Sequence, residues 1–260
     1  QKIVKFVIQE PYLLNLETAK EIEARYHLRE CIVAAIPQDN LSENSAKEAV
    51  ALEGARYLQR IITERDILGI AWGKTMYYLI KYLNPCQRTN AVFVTLHGSI
   101  ATVDFDLDVL TLTTKAAMSL GGQRYCLFSN GLLDSTENVK MLKKEKNTAD
   151  IFELYSKITI SLSGIGALYP KATTPLVSNY MSQQDYEKLV NANVYGDIML
   201  RFFDENGNEC DTDLRDRTLS IELDAYKKIP TKILAVSGVH KAAALKAALV
   251  GKMADVLIID

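Results

Sequence analysis

Short apolar, β-branched runs alternate with longer amphipathic stretches along almost the whole chain. Ile3–Ile8, Cys31–Ile36, Ile67–Trp72, Ala91–Leu96, Tyr125–Phe128, Ile158–Leu162, Lys232–Val236 and Val256–Ile259 read as strands, being brief, apolar and bounded by turn residues. Leu16–Tyr26, Ser42–Glu64, Thr75–Leu83, Val109–Leu120, Ser135–Ala149, Ser182–Val190 and Lys241–Leu249 read as helices. Ser42 is a fitting N-cap, while Asn84-Pro85 and Gly121-Gly122 are fitting stops. Asp197–Phe203 and Thr218–Leu223 suggest two more strands flanking a turn at Asp204–Gly207. The lysines of the 135–149 helix are interleaved with Glu137 and Glu145, which fits a solvated face.

Repeated strand–helix units of this kind predict an α/β fold, an open and mostly parallel sheet with helices on both faces. Ligands of such sheets sit beyond the carboxyl ends of the strands. Small and polar residues collect there: Gly73-Lys74-Thr75, His97-Gly98-Ser99, Ser129-Asn130-Gly131, Ser163–Gly166 and Ser237-Gly238 each follow a predicted strand. They are expected to converge on one rim.

Asp66–Leu83 is the most informative segment. An apolar strand runs into Gly73, and a helix with Met76, Leu79, Ile80 and Leu83 on one face follows at once. The first N–H groups of that helix lack intrahelical partners, and its dipole favours negative charge. Lys74 adds a cation and Thr75 a hydroxyl. A phosphate-sized anion site is the reading, although the spacing is neither that of a Walker A loop nor G-x-G-x-x-G.

Composition narrows the partners. Of 260 residues, 48% are hydrophobic and 24% charged, with a net charge of −2, which is ordinary for a globular domain and gives no basic excess for gripping DNA unaided. No apolar run approaches a membrane span, and residues 1–15 lack the pattern of a signal peptide. Cys31, Cys86, Cys126 and Cys210 are scattered without metal-ligand spacing. No metal site and no disulfide framework is expected, and a reducing cytoplasm fits.

Several stretches then fall together in order: Gly69–Thr75 (GIAWGKT), Leu96–Ser99 (LHGS), Gly164–Gly166, Gly196–Ile198 followed by Arg201–Gly207 (RFFDENG), Asp216-Arg217, Ser237–Leu249 and Val256–Asp260. This ordered set resembles the sugar-phosphate effector-binding domain of SorC-type bacterial transcriptional regulators, whose fold resembles that of ribose-5-phosphate isomerase and glucosamine-6-phosphate deaminase. The resemblance implies an effector domain over 1–260, truncated so that the family's N-terminal helix-turn-helix domain is absent. The phosphate would lie on Gly73, Lys74 and Thr75. The sugar would be lined by His97, Gly98 and Ser99, with Asp197 accepting from hydroxyls, Arg217 offering charge-assisted bonds and Lys241 reaching in from a helix start. It further implies operator DNA as the partner of the absent domain, a homodimer or tetramer, no cofactor and no catalytic residue. His97-Gly98-Ser99 and Ser237-Gly238 depart from the family's more usual glycine-rich forms, which leaves the identity of the sugar open.

Plainer roles stand beside these. Lys74 and Lys241 could merely start helices, Thr75 and Asp197 could cap turns, His97 could be a buried structural histidine, and Arg217 could sit in a surface ion pair. The alternative function is an isomerase or deaminase on the same fold, with Asp104, Asp106 or His97 as the base. The carboxylate cluster associated with ribose-5-phosphate isomerase is missing. A domain that binds only other proteins is disfavoured by the glycine-rich strand ends.

Overall fold

Successive residues of a strand face opposite sides of a sheet, and in this protein both sides are apolar. In the computed structural model, which describes residues 10–36, 42–85, 88–100, 105–172 and 180–260, Ile233, Ala235, Val256 and Ile258 enter one core while Leu234, Val236 and Leu257 enter another. Such two-sided burial is what an all-parallel sheet between helix layers requires.

The order along the chain is α1 (Glu10–Tyr26), β1 (Glu30–Val33), α2 (Glu43–Ile61), β2 (Ile67–Ile70), α3 (Lys74–Lys81), β3 (Ala91–Thr95), α4 (Val109–Leu120), β4 (Gly122–Tyr125), α5 (Thr136–Lys144), α6 (Lys146–Tyr155), β5 (Ile160–Ser163), β6 (Gly166–Ala167), α7 (Gln183–Asn191), β7 (Gly196–Ile198), β8 (Arg201–Phe203), α8 (Asp213–Arg217), α9 (Leu223–Lys227), β9 (Thr231–Val236), α10 (Ala242–Val250) and β10 (Val256–Ile259). Seven parallel strands run β1-β10-β9-β5-β2-β3-β4. The core containing α2, α3 and α4 covers one face and the core containing α6 and α10 covers the other. A small antiparallel sheet, β6-β7-β8, sits beside it over a third cluster that includes Ile100, Leu189, Phe202 and Leu214.

Ser42 caps α2 as expected, its hydroxyl accepting from the Ser45 N–H. The strand expected at Ile3–Ile8 lies outside the described residues. Four expectations need correction. Strand β4 begins at Gly122 rather than Tyr125, because pairing with Ala91–Val94 reaches back to the residue just after Gly121, the glycine that stops α4. The 135–149 helix is two helices, since Glu145 adopts extended backbone with ψ 133°. The span 197–203 is two strands joined at Met199 and Leu200, both buried and with φ of 52° and 65°, a conformation bulky side chains rarely take. Nothing in a Met-Leu pair signals such a turn.

The partner expected for that span, Thr218–Leu223, is not a strand. It is an extended segment threaded between the loops after β3 and β4, with single bridges His97–Ser220 and Leu132–Thr218. Buried Arg201 anchors it, donating to the Ser220 Oγ, the Ser220 and Ile221 carbonyls and the Arg215 carbonyl, and pairing with Glu209 and Glu222.

Candidate ligand-binding site

Strand β2 lies inside the sheet, between β5 and β3. At its end the Trp72 N–H donates to His97 Nε2 at 3.2 Å and the Gly73 N–H donates to the Leu107 carbonyl at 3.2 Å. Gly73 has φ 118° and ψ 166°, a region essentially reserved for glycine, and a Cβ placed there would meet nothing within 4 Å. The chain then turns straight into α3. Among the described residues, the N–H groups of Lys74, Thr75 and Met76 have no acceptor; the Tyr77 N–H is the first to pair back, to the Gly73 carbonyl. These three donors and the positive end of α3 face a cavity of about 250 Å³.

The cavity is lined by the first turn of α3, by Glu43 and Lys47 from the first turn of α2, by Gly164–Gly166 after β5, by Asp197 and Met199 of the small sheet, and by His240 and Lys241 before α10. Asp197 is 2% exposed and its Oδ1 has no hydrogen-bond partner. Burial pushes its carboxyl up to about 7, against the opposing pull of Lys241. An isolated buried oxygen of this kind is costly unless a donor arrives. Lys241 Nζ donates to the Ile165 carbonyl at 2.9 Å, and its ammonium is pushed down by burial and by the like charge of Lys47. The arrangement thus offers amide donors and cations in one part and an unsatisfied carboxyl oxygen in another. A molecule carrying both an anion and hydroxyl groups complements it.

Of the residues singled out in the sequence, Gly73, Lys74, Thr75, Asp197 and Lys241 come together here. Lys74 is exposed, and its Nζ donates to Asn44 Oδ1 at 2.9 Å. The structure does not bring His97, Gly98, Ser99 or Arg217 to this cavity. His97 is fully buried: Nε2 holds the Trp72 N–H and Nδ1 lies 2.7 Å from the Gly98 carbonyl, which fixes the proton on Nδ1. Burial pushes its imidazole down to about 4, so the ring is neutral at pH 7. A Cβ on Gly98 would lie 2.6 Å from the Ser129 carbonyl. The Ser99 hydroxyl donates to Asp108 Oδ2 at 2.6 Å, and Asp108 also caps α4 and holds the Ile100 N–H. Arg217 pairs with Asp185 at 2.5 Å and Asp213 at 3.3 Å, and donates to the Leu133 carbonyl.

Glu43, Lys47, Met199 and His240 line the cavity without having been expected there. For α2 a signal existed: its N-cap is legible, and helix starts lie near the carboxyl ends of a parallel sheet. Which of its side chains turn inward depends on how α2 packs against α3, and that is not written locally.

Comparison with known proteins bears on this geometry. The profile of the sugar-binding domain family matches residues 10–260. The chain belongs to that family. It is 28% identical over 242 residues to the deoxyribonucleoside regulator of Bacillus subtilis (strain 168), covering 92% of this chain and 75% of that protein. With the sorbitol operon regulator of Klebsiella pneumoniae it shares 26% over 260 residues, covering 99% and 82%. The crystal structure of full-length SorC, the Klebsiella pneumoniae sorbitol operon regulator, superposes with a TM-score of 0.89 at 26% identity, covering 98% of this chain and 82% of that one. A DeoR family transcriptional regulator from Listeria monocytogenes gives 0.86 at 26% identity, covering 95% and 96%. The chain is therefore a sugar-binding domain of the kind found in SorC- and DeoR-type transcriptional regulators, and the parallel α/β architecture is theirs. No described helix is long and apolar enough to cross a membrane.

Proposed function

We propose that this domain senses a phosphorylated sugar in the cavity at the β2–α3 turn. One observation carries the reading: three amides at the start of α3 that have no acceptor among the described residues and the unpartnered, buried Asp197 Oδ1 open onto the same cavity. A phosphate dianion satisfies the first and sugar hydroxyls satisfy the second. The named relatives are a deoxyribonucleoside regulator and a sorbitol operon regulator, which supports a carbohydrate-derived effector.

Within a full-length regulator, occupancy of the cavity would set the affinity of a helix-turn-helix domain for operator DNA. It would do so by binding one arrangement of a cytoplasmic homodimer or tetramer more tightly than another. In this reading residues 1–260 act as one effector-binding domain, without cofactor and without turnover. His97 and Asp106, two candidate bases for an isomerase, do not line the cavity, and Asp106 pairs with Lys115. Asp104, the third, lies outside the described residues.

A thermal-shift panel of pentose and hexose phosphates, each beside its unphosphorylated sugar, tests this. The effector at ~100 times its Kd is expected to add about 2.7 kcal/mol of stability while the compound is recovered unchanged. Stabilisation by free sugars alone, or isomerisation of ribose 5-phosphate at enzymatic rates, would refute it.

A further inference from the structure

Lys74 is the lysine in the turn, yet its side chain is exposed and engaged by Asn44. Lys47, one turn into α2, lines the same cavity with a side chain only 12% exposed. We propose that Lys47, and not Lys74, is the cation that selects the phosphate group of the effector, and that Glu43 restrains it while the cavity is empty. The inference rests on the reading of the cavity as a phosphorylated-sugar site.

Three features of the structure carry it. First, the charges around Lys47 leave a place for an anion. Lys241 faces it from the segment before α10, and its ammonium is pushed down first by burial and then by the like charge of Lys47. Asp197, the buried carboxyl on the same cavity, is itself pushed up by burial and is a weak counter-ion for two lysines. A dianion between Lys47 and Lys241 relieves that repulsion in a partly dehydrated setting, where charge-assisted bonds are strongest.

Second, the present partner of Lys47 is easily given up. Glu43 lies four residues earlier on the same helix, with a side chain 65% exposed, so water competes for its carboxylate. The Glu43 carboxylate also senses Lys74 and His240, so it stands at the cavity mouth as the group an entering anion must displace.

Third, Lys47 approaches from α2, and α2 packs on α3, whose buried Leu79 lies against Gly54 of α2. The amide donors of α3 and the ammonium of Lys47 are therefore fixed relative to each other by one helix pair. The side chain of Lys74, by contrast, is exposed and donates to Asn44.

Calorimetric titration separates the possibilities. The probes are inorganic phosphate and the sugar phosphate that stabilises the wild type most, with its dephosphorylated sugar as control. Lys47→Met is expected to raise the Kd of both phosphate compounds about 10- to 100-fold, the effect of losing one charge-assisted bond, and to leave the free sugar unchanged. Lys47→Arg is expected to restore most of the loss. Lys74→Met is expected to change the phosphate compounds no more than about threefold. Glu43→Gln moves in the opposite direction, tightening both, because it frees Lys47 and removes a like charge from the mouth.

The assignment is overturned if Lys74→Met carries the loss and Lys47→Met does not. It is equally overturned if Lys47→Met weakens sugar and sugar phosphate alike, which marks a structural role, or if Glu43→Gln weakens the phosphate compounds. A wild type that binds no phosphorylated compound in the panel overturns the reading beneath it. That failure is distinct, because it precedes any comparison of lysines.

Discussion

Two strand ends that look alike in sequence have opposite fates in this molecule. Gly73-Lys74-Thr75 after β2 and His97-Gly98-Ser99 after β3 both join a glycine to polar neighbours at the carboxyl edge of a parallel sheet. Around Gly73 there is open space, and among the described residues the next three N–H groups have no acceptor. Around Gly98 there is backbone: its N–H goes to the Leu219 carbonyl, and the loop after β4 fills the position a Cβ would take. The first loop opens onto a cavity and the second is a packed joint. A glycine at a strand end therefore marks close approach without saying of what. The deciding information is whether another part of the chain, in this case the loop after β4 at Ser129-Asn130, occupies the space.

The largest effects that sharpen this contrast concern pH. Asp197, on the cavity side, is pushed up to about 7. The folded protein thus holds a proton that the unfolded chain releases above roughly pH 4. Its contribution is present at low pH and is lost as the pH rises toward 7. Asp197→Asn removes that loss and is expected to stabilise the empty protein at pH 8 by on the order of 3–4 kcal/mol in urea denaturation, while weakening any hydroxylated ligand. His97, in the joint, has the opposite sign. Its imidazole is pushed down to about 4, so the unfolded chain takes up a proton below roughly pH 6.5 that the folded protein excludes. Stability falls as the pH drops through that window. The two slopes oppose each other in the wild type, and each single variant is expected to expose the other; parallel curves for Asp197→Asn and wild type would break the contrast.

The next effect in size separates the glycines. Gly98→Ala forces a Cβ within 2.6 Å of the Ser129 carbonyl and is expected to cost about 2–3 kcal/mol, measured as a lower urea midpoint, with the affinity of the folded protein for its ligand unchanged. Gly73→Ala meets no atom but must hold a strained backbone, at a cost of about 1–2 kcal/mol, and is expected to impair binding out of proportion to stability. Equal stability losses with equal binding losses would mean the two loops are not different in kind.

These residues also show what the sequence reveals. The alternation of strands and helices, the parallel sheet and the start of α3 are legible because they follow from periodicity and from glycine and capping chemistry at the position itself. Gly73, Lys74 and Thr75 stand at the cavity because they join a strand end to a helix start, whereas Asp197 and Lys241, which also line it, were assigned by resemblance. The assignment of His97, Gly98 and Ser99 to the sugar rested on resemblance, and the structure places them in a packed joint instead. Their neighbours, 129–131 and 218–221, are distant in sequence, and no local pattern announces that those segments meet. The turn at Met199-Leu200 was hidden for a similar reason: tertiary packing, not local preference, holds those two residues at positive φ. Lys47 was invisible because an interior lysine of an amphipathic helix has no mark that separates it from a solvated one.

The smallest predicted effect concerns a single hydroxyl. Thr75 is buried in the first turn of α3. Thr75→Val keeps its shape and is expected to weaken phosphorylated ligands by about tenfold, near 1.4 kcal/mol, with little change for the free sugars in calorimetry. Equal loss for both classes would remove the hydroxyl from the phosphate site.

The most direct test of the account follows backbone amide resonances while the best-stabilising sugar phosphate is titrated in. The N–H signals of Lys74, Thr75 and Met76 are predicted to move saturably, with those of Gly98 and Ser99 unmoved. Shifts confined to 97–99, or unmoved amides at 74–76 across a saturating titration, would contradict the claim that the first turn of α3 receives the phosphate.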